Sequence, residues 1–251
     1  MADKPKLTTK QHLWHMKSKR PGRKWPTFKI KKILPAAEKI GYTTLGILLA
    51  LWINNCDEGR KKREIERKTL LEIRAGLEQD RRDLRETVSG YEYRVQNAEQ
   101  IFDYLRREQP PADSLANRVG NLISFSYLLA NTAAYETLKS RGLETITNDS
   151  LRLGIATLYD VEYEAIQASE RHLDEINNGL FMPYLTTHIR LSTARFSEAE
   201  VEKMQRDRPF QQMLWQVKFL NQAVLERYQQ ALASLEKNLR DLEAELNRRR
   251  F

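Results

Sequence analysis

Apolar residues recur at Leu70, Ile73, Leu77, Leu84, Val88, Tyr91, Val95, Ala98, Phe102 and Leu105. Steps of three and four place them on one side of a helix. The spacing predicts one long helix from Arg60 to about Arg107, with a stutter at the four-residue step from Leu84 to Val88. Gln109-Pro110-Pro111 ends it, because a proline ring excludes helical geometry from the residue before it. Further along, Ser114–Leu129 predicts a short helix. Thr132–Arg141 predicts another, closed by Gly142 as a left-handed cap with Leu143 as its hydrophobic contact. The TNDS stretch at 147–150 offers N-caps for a helix from Leu151 to about Thr187, with Pro183 placed to kink its end. Ser197 and Glu200 form a capping-box pattern opening a short helix. The last helix runs from Pro209 to about Arg248. Within it Leu225, Tyr228, Leu232, Leu235, Leu239, Leu242 and Leu246 step 3-4-3-4-3-4, a heptad seam. The first long helix matches it in length, which predicts antiparallel packing of the two within one chain.

One stretch breaks this amphipathic pattern. From Ile40 to Ile53 fourteen residues carry no charge. From Leu45 to Ile53 the nine positions sweep the whole helix circumference with no polar stripe, whereas a core helix keeps one. At 1.5 Å per residue the fourteen residues rise about 21 Å, against about 30 Å of bilayer hydrocarbon. Starting at Ala36 gives eighteen residues and about 27 Å. Glu38 and Lys39 then sit at the interface, since a charge at the bilayer centre costs about 2.5–3.5 kcal/mol and each Leu or Ile there returns only about 0.3–0.6. The expected span is residues 36–56, carried by Ile40, Leu45, Ile47, Leu48, Leu49, Leu51, Trp52 and Ile53, and only Gly59 interrupts it before the long helix. No small-x-small cleavage pair follows, so an uncleaved signal anchor is expected.

Few prolines and glycines, eight and ten, and long runs rich in Leu, Glu, Arg, Ala and Gln fit an all-α chain. The expected architecture is a single N-terminal transmembrane helix continuing into a long helix of an antiparallel bundle or coiled-coil body. Residues 1–35 form a basic, poorly ordered tail, and residues 57–251 the body. Charge sharpens this division. Residues 1–39 hold twelve Lys/Arg against Asp3 and Glu38, while residues 40–251 hold thirty against thirty-two Asp/Glu. The net +8 therefore belongs to the tail, and the body does not read as a nucleic-acid-binding domain. Arg23, Lys24, Lys29, Lys31 and Lys32 before the span, and Arg60, Lys61, Lys62 and Arg63 after it, are placed to meet anionic lipid headgroups. Each side carries seven Lys/Arg within twenty residues. The remaining tail cations favour a cytoplasmic tail in the inner cell membrane and a body on the outer, periplasmic side. Gly46 and Ala50 form a small-xxx-small pair through which two spans would dimerise, and the heptad seam would equally serve a protein partner.

Candidate chemistry is sparse. Cys56 is the single cysteine, so no intramolecular disulfide forms. His12 and His15 lack further ligands nearby. His172 and His188 follow Ser169 and Leu185, not the Glu that a carboxylate-bridged di-metal bundle needs three residues earlier. No phosphate loop, dinucleotide fingerprint or nucleophile elbow occurs. Asp160, Glu162 and Glu164 are read as part of a solvated helix face. The chain reads as non-catalytic, with no metal and no cofactor. The alternatives are a soluble helical adaptor that buries 40–53 in its own core, and an enzyme with an unrecognised site.

Residues 46–80, GILLALWINNCDEGRKKREIERKTLLEIRAGLEQD, and 133–163, AAYETLKSRGLETITNDSLRLGIATLYDVEY, resemble the two recognisable blocks of an uncharacterised family of bacterial single-pass membrane proteins. The first block pairs an apolar run with Ile-Asn-Asn and an acidic-basic helix. Cys56 stands where an aromatic is usual, and the basic tail has no counterpart. The resemblance implies a membrane-anchored helical domain and carries over no functional residue.

Overall fold

The computed structural model describes residues 34–106, 112–123, 127–188 and 196–248, with the side chains of 34–40 and 112–114 left aside. Among them there is helix and no strand. Two units divide the chain, residues 1–56 and 57–251. Helix α1, Leu34–Arg106, is unbroken at Gly59. The other helices are α2 (Ala112–Leu122), α3 (Ala133–Arg141), α4 (Asp149–Thr157), α5 (Tyr163–Ile176), α6 (Met182–His188), α7 (Glu198–Arg206) and α8 (Arg208–Arg248). Two π turns, Leu158–Glu162 and Asn177–Phe181, join α4, α5 and α6 into one rod.

In the unit from Asp57 onward, cross-helix contacts give the topology. Arg74 pairs with Glu243 at 3.4 Å, Arg85 with Glu236 at 2.6 Å and Lys218 with Glu99 at 2.9 Å. As numbers rise along α1 they fall along α8, so the two are antiparallel. Tyr91 against Tyr228, 5.4 Å between ring centroids, sits in the same register. The α4–α6 rod runs parallel to α1, because Glu66 holds Thr147 and Asp80 holds Tyr163. Between them, α2 and α3 return down the body: Arg118 meets Asn97, Asn131 meets Asp80 and Arg141 meets Thr69. The body is thus an up-down-up-down bundle whose second member is broken.

The break corrects the sequence reading. Ser114–Leu129 is not one helix: α2 stops at Leu122, and residues 127–132 are non-helical. Two backbone donors in this stretch are captured by buried carboxylates of neighbouring helices. Glu170 accepts the Leu128 N–H at 3.1 Å, and Asp80 accepts the Asn131 N–H at 2.8 Å. A long helix makes those bonds for itself; here side chains from α1 and α5 substitute.

Other boundaries follow from local chemistry. Asn148 Oδ1 accepts the Leu151 N–H at 3.2 Å and caps α4. Ser197 and Glu200 complete the capping box of α7. Gly142 ends α3 at φ 99° and ψ 129°. That is a glycine-only conformation but not the left-handed helical one the sequence suggests. Pro183 falls inside the continuous rod, as the second residue of α6, and not at a free helix start. The structural irregularity comes just before it, at the Asn177–Phe181 π turn. Buried residues there step Leu173, Asn177, Phe181, Leu185, and the wider i→i+5 turn keeps four-residue steps on one face.

Two apolar clusters fill the body. One runs from Leu70 to Tyr91 on α1 with Ile155, Tyr163, Tyr228 and Leu235. The other gathers Ile101, Val119, Phe181, Phe210 and Val217. Between their levels lie buried Arg94, Asn97, Asn177 and Asn221. Of the seam on α8, Leu225, Tyr228, Leu235, Leu239 and Leu242 are buried, and Leu232 and Leu246 pack at the edge of the same cluster. Its partners are helices of this chain.

Candidate functional site

Three places carry chemistry. The first is the apolar run. Leu45, Ile47, Leu48, Leu49, Leu51, Trp52 and Ile53 are between 54% and 65% exposed, and Tyr42 is 68% exposed. A helix residue that exposed has only its own helix for company. The described run therefore presents a fully apolar cylinder, and a Cβ placed on Gly46 would meet no other atom within 4 Å. Among the described residues no helix is long and apolar enough to cross a membrane. The stretch from Gly41 to Ile53 rises about 20 Å, and the side chains of residues 36–40 lie outside the described ones. The span expected at 36–56 thus falls short within what is described. The Ile40 side chain and the tail residues Arg23, Lys24, Lys29, Lys31 and Lys32, like His12 and His15, lie outside the described residues. Cys56 is exposed.

The second place is a basic cleft of about 770 Å³ in the body. It is lined by Lys62, Arg63, Ile65, Glu66 and Lys68 of α1, by Arg141 at the end of α3, and by Glu144, Thr145 and Thr147 of the following turn. The turn stands against α1 because Glu66, itself buried, accepts the Thr147 N–H at 2.7 Å and its hydroxyl at 2.9 Å. On the other side of the turn, Asn148 donates to Glu245 at 2.9 Å. Of the four basic residues expected at the membrane surface after the span, Lys62 and Arg63 line the cleft. Arg60 and Lys61 instead pair with Asp57, at 3.1 and 2.8 Å. Those pairs lower the Asp57 carboxyl and raise the Lys61 ammonium relative to their usual values, Lys61's own hydrogen bond being the leading cause for the acid.

The third place is the set of buried carboxylates. Asp80 accepts from the Asn131 N–H and, at 3.0 Å, from the Tyr163 hydroxyl. Glu170 accepts from the Leu128 N–H and the Tyr228 hydroxyl. Burial pushes both carboxyls up from their ordinary values of 3.8 and 4.5, and the donated hydrogen bonds hold the rise back. Burial likewise raises the Tyr163 and Tyr228 phenols far above the usual range, with the adjacent carboxylate adding to it. Tyr91, beneath the Arg94 guanidinium at 4.3 Å, is pushed by burial to about 12. Arg94 Nη1, Asn97 Nδ2, Asn221 Oδ1 and both amide atoms of Asn177 are buried with no hydrogen-bond partner among the described residues.

Each of the two carboxylates is occupied by a backbone donor and a tyrosine donor of the fold. His172 lies on the surface, 3.8 Å from Glu175, and His188 stacks on Tyr184 at 4.2 Å. Among the described residues no three His, Cys, Asp or Glu side chains converge as a metal site would need. Sequence reasoning missed Glu66, Asp80, Glu170 and Glu245. Their signal was there: Asp80 sits between Leu77 and Leu84 on the apolar stripe, where a charge has no business unless it is bonded.

Compared with known proteins, the chain matches no family model, no curated protein and no solved structure.

Proposed function

We propose that the chain is a membrane-anchored helical scaffold or sensor-like subunit that acts without catalysis. The run through Ile53 inserts in lipid, the basic tail stays in the cytoplasm and the bundle stands on the periplasmic side. The observation that carries this reading is the exposure of Leu45, Ile47, Leu48, Leu49, Leu51 and Ile53 around the whole helix. Six large aliphatic side chains left in water on one helix form a continuous apolar surface of the kind that marks a membrane or partner contact. A complete crossing takes in Ala36–Ile40, with Glu38 and Lys39 at the headgroups. The resemblance of 46–80 and 133–163 to bacterial single-pass proteins points the same way. The occupied state of Asp80, Glu170, Glu66 and Glu245 supports a structural role for the acids of the body.

Alkaline carbonate washing of membranes tests the anchor. The wild-type chain is expected in the pellet. L48K replaces a residue worth about −0.3 to −0.6 kcal/mol in lipid with one costing about 2.5–3.5. That is about 3–4 kcal/mol, so the variant is expected in the supernatant. Extraction of the wild-type chain would end the proposal. Reporters fused after Asp57 and after Phe251 test the orientation: cytoplasmic signals from both would overturn it.

A further inference from the structure

We propose that the cleft between α1 and the turn after α3 binds the phosphate of an anionic lipid headgroup. The inference deepens the anchored reading and rests on it for the source of the ligand. Lys62, Arg63 and Lys68 enter from α1, and Arg141 enters from a separate element about seventy residues away in sequence. Two carboxylates, Glu66 and Glu144, share the lining, which leaves the cleft with four cations against two acids. Glu66 is already committed: its Oε1 accepts both the N–H and the hydroxyl of Thr147. Lys62 and Arg63 make no ion pair among the described residues. Arg141 has only a long hydrogen bond, 3.5 Å, to Thr69 Oγ1, and Lys68 only a 4.0 Å approach to Glu72.

Several other surface cations of this bundle are paired. Arg74, Arg85, Arg152, Arg206, Lys218 and Lys237 each have a carboxylate within 3.0 Å. Cations with no acid partner, facing one another across a concave surface, repel unless an anion comes between them. A guanidinium presents paired donors in a plane, which suits phosphate oxygens. Ile65, half exposed on the same wall, gives an apolar contact that a free phosphate ion would not use but a glycerol or acyl segment would. Lys62 follows Ile53 by nine residues in sequence. A chain held in lipid by that run therefore carries this cleft close behind it in sequence.

The test uses the full chain in neutral detergent, titrated calorimetrically with short-chain phosphatidylglycerol, with phosphatidylcholine of the same chain length, and with inorganic phosphate. Phosphatidylglycerol is expected to bind more tightly than either, and more weakly as salt rises. R63Q and R141Q are each expected to lower its affinity about fivefold. K237Q, which alters a lysine outside the cleft lining that pairs with Asp241, is expected to leave it unchanged. Equal binding of the two lipids, or unchanged affinity in both R63Q and R141Q, overturns the site. Inorganic phosphate binding as tightly as phosphatidylglycerol overturns the lipid as its source. The titration reads the cleft in detergent whether or not carbonate extracts the chain from membranes, so failure here and failure of the anchor are separate results.

Discussion

Replacing Asp80 tests how the broken second member of the bundle is held. The Asp80 carboxylate is the acceptor for the Asn131 N–H at 2.8 Å and the Tyr163 hydroxyl at 3.0 Å. D80A removes both acceptor oxygens and leaves the buried Tyr163 hydroxyl without one, while the Asn131 N–H belongs to an exposed residue. An unsatisfied buried donor costs about 1–3 kcal/mol. Relief of the buried carboxylate and local rearrangement offset part of that, and the partly exposed Asn131 N–H adds little, so D80A is expected to cost about 2–3 kcal/mol. D80N keeps one oxygen for the same two donors and is expected to cost about 1 kcal/mol. Y163F removes only the hydroxyl. The D80A/Y163F double mutant should fall short of the sum of the singles by about 1–2 kcal/mol, the signature of direct contact. Urea unfolding of the full chain in detergent, followed by far-ultraviolet circular dichroism, gives these values. Amide exchange at Asn131 gives a local readout and should quicken in D80A and not in D80N. Equal stability of D80A and D80N, with Asn131 exchange unchanged, would refute the assignment of this carboxylate to the break.

Three further outcomes follow from the same interior. Because the Asp80 and Glu170 carboxyls lie above their ordinary values when folded, the folded chain binds more protons than the unfolded one between those values and the raised ones. Their contribution to stability is therefore greatest below about pH 4 and falls as pH rises through the raised values; the D80N/E170Q chain should show a flatter unfolding midpoint against pH across this window. Both amide atoms of Asn177 are buried with no partner among the described residues, so N177L should raise stability by about 1 kcal/mol, and a loss in urea unfolding would mean that the layer holds bound water. A Cβ on Gly154 would come within 2.3 Å of the Asn238 side chain, whose amide donates to the Gly154 carbonyl at 3.0 Å. G154A should therefore cost about 1–3 kcal/mol by thermal unfolding.

Period and punctuation made much of the fold legible. The stripe from Leu70 to Leu105, the heptads from Leu225 to Leu246 and the Asn148 and Ser197 caps are local signals, and each has a local structural answer. The break at 127–132 was not legible, because its backbone donors are satisfied by Asp80 and Glu170, which lie 51 and 42 residues away from Asn131 and Leu128. Only the fold brings such partners together. The π turns were hidden for a related reason: a four-residue step reads as helix until the neighbouring helices show which face must stay inside. Of the cleft, Lys62 and Arg63 were visible as a basic cluster. Arg141 was not, since nothing near it in sequence marks it as their neighbour. The apolar run was the plainest feature of the chain, for the opposite reason: its message is composition alone and needs no partner.

The environment of that run is read most directly by spin labels. With Cys56 changed to Ser, single cysteines at Leu45, Leu48, Leu49, Leu51 and Ile53 would carry a nitroxide in the full chain reconstituted in vesicles. Collision with oxygen, which concentrates in lipid, is then compared with collision with a water-soluble nickel reagent. Lipid on every side predicts oxygen-dominated collision at all five positions, with no helical period. Nickel-dominated collision throughout, or an alternation with a 3.6-residue period, would contradict it.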